Sequence, residues 1–167
     1  MMHAIIDASI LARVSFRDPD EVHRFWRYLN LIHCSAYTGL SPTYTAGNFF
    51  EPVVKRHDLI PERVKGEETA AIDAIANSDG LAAVNIYEIW ALEVVQMEAI
   101  RNDGKLTRLA PAIHARLNEK VDKLSRGAKR LHAYTFQVLP FIYTHLVSLS
   151  SVREAGRGSR TAFVVGR

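Results

Sequence analysis

At 167 residues, 48% hydrophobic and 23% charged, the chain is long enough to bury one core and too apolar to be disordered as a whole. Its single cysteine, Cys34, excludes an intramolecular disulfide and offers no metal-ligand spacing; flanked by His33 and Ser35 in an apolar periodic segment, it reads as a small buried hydrophobe. The formal net charge of +3 is mild and unevenly placed.

The opening stretch MMHAIIDASILARVSF has apolar character, but Asp7 and Arg13 interrupt it and no basic leader precedes it, so no signal peptide is expected. Asp18-Pro19-Asp20-Glu21 is a helix-start signal: an Asp cap, a Pro at the first helical position and acidic first-turn residues. Val22, Phe25, Trp26, Leu29, Ile32 and Ala36 then recur at helical spacing as one apolar stripe, Arg24 and Arg27 point elsewhere, and Gly39 is placed to end the helix. After the Ser41-Pro42 turn, a short helix is expected from Thr45 to about Val54, kinked or confined by Pro52.

Pro61-Glu62-Arg63 marks another helix start, and Glu67 to Ala76 reads as amphipathic before Ser78-Asp79-Gly80. The segment LAAVNIYEIWALEVVQMEAI is apolar on nearly every side and belongs inside. Steps of five residues rotate its Glu88, Glu93 and Glu98 off a common face, which argues for separate partners rather than one catalytic or metal site. Asn102-Asp103-Gly104 ends that helix, and Pro111 introduces a long basic one to about Leu131. Between Lys105 and His132 the basic residues Lys105, Arg108, Arg116, Lys120, Lys123, Arg126, Lys129 and Arg130 face only Asp103, Glu119 and Asp122, without the interleaved aromatics that stack bases, so no nucleic-acid partner is expected. From Ala133 to Val152 no residue carries a formal charge, about the length of a bilayer span, and then Arg153, Glu154, Gly156 and Arg157 interrupt it.

These readings specify an all-α fold, a bundle of long helices over about 20–37, 82–101 and 112–132, with a helical region 1–152 and a disordered tail 153–167 rich in Gly, Ser and Arg. No nucleophile, base and orienter can be assembled, and the seven histidines are scattered, so neither an enzyme nor a bound cofactor or metal is expected.

Two segments carry a resemblance. Arg24 to Ile60, with Arg27-Tyr28-Leu29-Asn30 and Asn48-Phe49-Phe50, resembles the cytosolic helices that follow the second membrane region of bestrophins, the pentameric anion channels. Leu131 to Val147, with Tyr134, Leu139, Pro140, Phe141, Ile142, Tyr143, Thr144 and His145, resembles the start of a later bestrophin membrane helix. The two lie in family order and directly cover about a third of the chain. The resemblance implies a homo-oligomer, pentameric in the family, that conducts chloride and other monovalent anions, sits in a membrane and holds most of this segment on the cytosolic side. It implies an anion vestibule lined by Lys120, Lys123, Arg126, Lys129 and Arg130, and a narrow apolar constriction near Ala112 and Ile113, with Ile113 as its side chain.

The departures are as definite. The family's early membrane helices and its acidic calcium clasp have no counterpart here, so the chain is expected to be a piece of such a channel, diverted near Val152 and unable to conduct alone. A piece taken from an oligomer is also expected to leave Trp26, Trp90 and the Phe141 to Val147 face without neighbours. The rival reading is a soluble helical interaction protein, whose basic helix binds an acidic partner.

Overall fold

A computed structural model describes residues 1–40, 43–61, 68, 80–100 and 109–134. The chain divides into units Met1–His132 and Ala133–Arg167, and nearly all the described residues belong to the first. The fold is all-α, with no strand among the described residues. In chain order the elements are α1 (Met2–Ser15), α2 (Pro19–Ser35), a π-helical turn (Ala46–Phe50), α3 (Glu51–Arg56), α4 (Gly80–Ile100) and α5 (residues 111–134). The three long helices expected from periodicity are α2, α4 and α5; α2 lies within two residues of its expected bounds, and α4 and α5 are helical throughout the described part of theirs.

Helix α1 is an element that the sequence reading left without structure. Ala4, Ala8 and Ala12 recur every four residues and, with Ile5, form its buried side. Small residues in that row let the helix axis approach its neighbour closely, while the bulkier Met2, Ile6, Ile10 and Val14 stay exposed. Apolar on both sides, α1 lacks the polar face by which an amphipathic helix announces itself. Phe16 turns the corner into α2 and packs on Phe25, with ring centroids 5.5 Å apart.

The start of α2 follows its signal: the Asp18 side chain accepts from the Asp20 N–H at 2.9 Å, and Pro19 occupies the first turn. Phe25, Leu29, Ile32 and Ala36 are fully buried, as the stripe requires, but Trp26 is partly exposed and stacks on His23. Arg27 corrects the expectation that it points away, being only 3% exposed. The helix ends at Ser35, and Gly39 at φ 85° supplies the left-handed backbone of the turn that follows. Pro52 neither kinks nor stops the next helix: it sits in the first turn of α3, where its missing N–H costs no hydrogen bond, and the irregularity falls upstream in the π-helical turn.

Helix α4 is buried along Ala83, Val84, Tyr87, Ala91, Val94 and Val95. It packs along α2. Gly80 makes the near end of that pairing possible: a Cβ there would run into the carbonyl oxygens of Ser35, the last residue of α2, and of Thr38 in the turn that follows. Trp90 is not left without neighbours, since it packs on Tyr28 at 5.6 Å and Tyr87 at 5.5 Å. Pro111 is the first residue of α5, and Leu117, Val121, Leu124 and Ala128 place its apolar side in the core. The segments 62–67 and 69–79, the Asn102-Asp103-Gly104 stop and the tail 153–167 lie outside the described residues.

Candidate anion-facing surface

Helix α5 carries the basic residues singled out above, and the structure separates them by what they touch. Lys120 reaches Asp7 of α1 at 2.6 Å, and the hydrogen bond and charge of that ammonium hold the Asp7 carboxyl below its usual range. Lys129 reaches Glu88 of α4 at 3.1 Å, and the buried Ser125 hydroxyl donates to the same Glu88 oxygen at 2.5 Å. Arg126 pairs with Asp122 one turn back on the same helix. Three of the five vestibule candidates are therefore engaged, two of them tying α5 to its neighbours.

Lys123 and Arg130 are different. Both are exposed and neither has an ion pair among the described residues; Arg116 shares both properties. These three residues are spaced by seven, which on an α-helix places them almost in line with about 10.5 Å between successive positions. The spacing exceeds the screening length of about 8 Å in physiological salt, so the row acts as a chain of separate positive sites. Ile113 stands in the first turn of α5, half-buried and packed against the core, whereas Ala112 beside it is exposed.

The carboxylates of α4 do not converge. Glu88 joins Ser125 and Lys129, Glu98 accepts the Arg17 backbone N–H at 2.9 Å, and Glu93 is exposed. Among the described residues no group of three or more His, Cys, Asp or Glu is placed to hold a metal ion. Burial pushes the Cys34 thiol up to about 11, which suits a core position rather than a reactive one. His33 is shifted down, first by burial and then by the positive amino terminus.

The cleft between α2 and α4, with a volume of about 660 Å³, is lined by Arg24, Tyr28 and Trp90 together with Glu21, Glu68 and Glu93. Carboxylates outnumber the cation there, so it is a poor collector of anions. Beneath it lies a polar cluster that the sequence reading missed. Arg27 donates from both terminal nitrogens to Glu68, at 2.8 and 3.0 Å, and also to the Leu59 carbonyl at 3.2 Å; the Tyr28 hydroxyl donates to Glu68 at 2.8 Å. Burial, followed by the bond to Glu68, raises the Tyr28 phenol well above its ordinary range. Arg27 and Tyr28 thus serve the core, and no local pattern signals it because the partner is 41 residues away.

Pro140, Phe141, Ile142, Tyr143 and Thr144, read as the start of a membrane helix, lie outside the described residues. Among the described residues no helix is long and apolar enough to cross a membrane. Comparison with family models, curated proteins and solved structures returned no match.

Proposed function

We propose that the chain is a cytosolic helical part of a bestrophin-like anion channel, a piece of the wall around the ion vestibule that does not conduct alone. The observation that carries the anion reading is the open row Arg116, Lys123 and Arg130 on α5. Cations on a helix with no ion pair among the described residues raise the local concentration of anions, and sites well separated along a line hold each ion weakly enough to release it. The two-segment resemblance supports the channel class, and the basic helix that lies between the two segments is compatible with the family's cytosolic part.

In the same reading Ile113 contributes the apolar constriction, Lys120 and Lys129 fix the position of α5, and Pro140 to Thr144 begin the membrane helix. The assembly is a homo-oligomer, pentameric as the family is, with monovalent anions passing through it and this segment on the cytosolic side of the membrane. The second reading, a helical interaction protein, is favoured by the exposed apolar residues of α1 and α4.

Planar-bilayer recording separates them. The isolated chain passes no current, while a longer protein containing it together with membrane helices carries chloride-selective current that Lys123→Gln/Arg130→Gln reduces. Silence from both proteins favours the interaction protein, and chloride current from the isolated chain overturns its assignment as a non-conducting part.

A further inference from the structure

Two helices present apolar faces to solvent in the same chain. On α1, Met2, Ile6, Ile10 and Val14 are 50–81% exposed and follow one another every four residues. On α4, Ile89, Met97 and Ile100 are 54–63% exposed along a similar length of helix. Isolated surface apolar residues need no explanation, but a continuous stripe on α1 and a second of similar length on α4, broken only at Glu93, do.

Their charges are complementary. The α1 stripe is bordered by the exposed cation Arg13, and the nearest acid, Asp7, is engaged by Lys120. The α4 stripe has the exposed Glu93 at its centre and no lysine or arginine anywhere along the helix. An antiparallel register that sets Arg13 opposite Glu93 brings Ile6 to Ile100 and Ile10 to the position next to Met97, with Val14 within one turn of Ile89. The parallel register with the same ion pair sets Ile10 opposite Trp90 and leaves Met97 and Ile100 beyond the end of the α1 stripe.

We infer that the α1 face of one copy docks on the α4 face of another, with Arg13 and Glu93 setting the register. A negative centre on the α4 stripe argues against an anionic lipid surface as its occupant. Because the two patches differ, the contact is head-to-tail, and such contacts generate rings when the rotation closes and filaments when it does not. The exposed ion pair chooses the register rather than supplying most of the affinity, which comes from the apolar residues around it. This inference stands on the two faces alone and is independent of anion conduction, although a closed ring is what a channel wall needs.

Sedimentation velocity and disulfide trapping test it on the full chain. The wild type is oligomeric, Arg13→Glu sediments as a monomer, and Arg13→Glu/Glu93→Arg recovers the oligomer. In a Cys34→Ala background, Ile10→Cys and Met97→Cys chains purified separately form a disulfide-linked dimer when mixed, and neither forms one efficiently by itself. These sites are exposed, and far-ultraviolet circular dichroism confirms that each variant retains its helices. A monomeric wild type, an oligomer unchanged by Ile6→Ser/Ile10→Ser, self-linking of Ile10→Cys chains, or binding of α1 to phosphatidylserine vesicles in place of self-association would each overturn the inference. An oligomer without anion currents leaves it standing and counts against the channel reading; a monomer that interacts with chloride through α5 does the reverse.

Discussion

Arg27 in α2 and Lys123 in α5 bring positive charge into opposite settings. Arg27 is buried, and its guanidinium is shared between the Glu68 carboxylate and the Leu59 carbonyl. Lys123 is exposed and has no ion pair among the described residues. The first charge holds the fold and is unavailable to any ligand; the second contributes little to the fold and remains available to ions. A basic residue in a helix therefore signals function only after its partners are known, and the partners of Arg27 are distant in sequence.

This contrast predicts a hierarchy of effects. Glu68→Ala leaves the Arg27 charge buried without its carboxylate and lowers unfolding free energy by about 3–5 kcal/mol in urea titrations. A loss under about 1 kcal/mol would place Arg27 with the solvated cations. At the end of the same α2–α4 seam, Gly80→Ala drives a methyl group into the Thr38 and Ser35 carbonyls and costs about 1–3 kcal/mol, because backbone atoms cannot rotate away as side chains do. Asp18→Ala removes the N-cap of α2 at a cost of about 1 kcal/mol. On the outer face, Lys123→Gln/Arg130→Gln changes stability by no more than about 0.5 kcal/mol per site, so any effect on anions can be read without an unfolding correction.

The pH dependence separates interior from surface in another way. His33 has a folded pKa below its unfolded value of 6.5, so the unfolded chain binds the extra proton first. Its contribution is complete above pH 6.5 and is lost as pH falls through the folded value. Cys34 has the opposite sign, its folded pKa near 11 standing above the ordinary thiol value of 9.0. Its contribution is complete below pH 9.0 and is lost as pH rises toward 11. Urea midpoints that stayed flat on the acidic side for wild type, or an acid loss that persisted in His33→Gln, would remove His33 from this account.

What was legible in the sequence is what depends on local spacing. Asp18-Pro19 marks the start of α2 and Pro111 opens α5, because each of those forces acts within a few residues; the all-round apolar character of α4 misled in part, since only one side of it is buried and Ile89, Met97 and Ile100 stay exposed. Helix α1 escaped because Ala4, Ala8 and Ala12 bury one side while Ile6 and Ile10 leave the other equally apolar, so hydropathy shows no contrast between its faces. The Arg27–Glu68 and Lys120–Asp7 pairs escaped because 41 and 113 residues separate the partners. Basic character was legible along α5 as a whole; the division into tied and open cations emerged only once α1 and α4 were packed against it.

The central claim, that the open row on α5 attracts monovalent anions, is tested most directly by the line width of the chloride NMR signal in the presence of the chain. The expected result is excess broadening that falls by more than half in Lys123→Gln/Arg130→Gln. Lys55→Gln/Arg56→Gln, which removes the same charge from exposed positions on α3, should leave most of the broadening in place. Equal losses in the two double variants would mean that chloride senses only net charge, and would contradict a specific anion-facing role for α5.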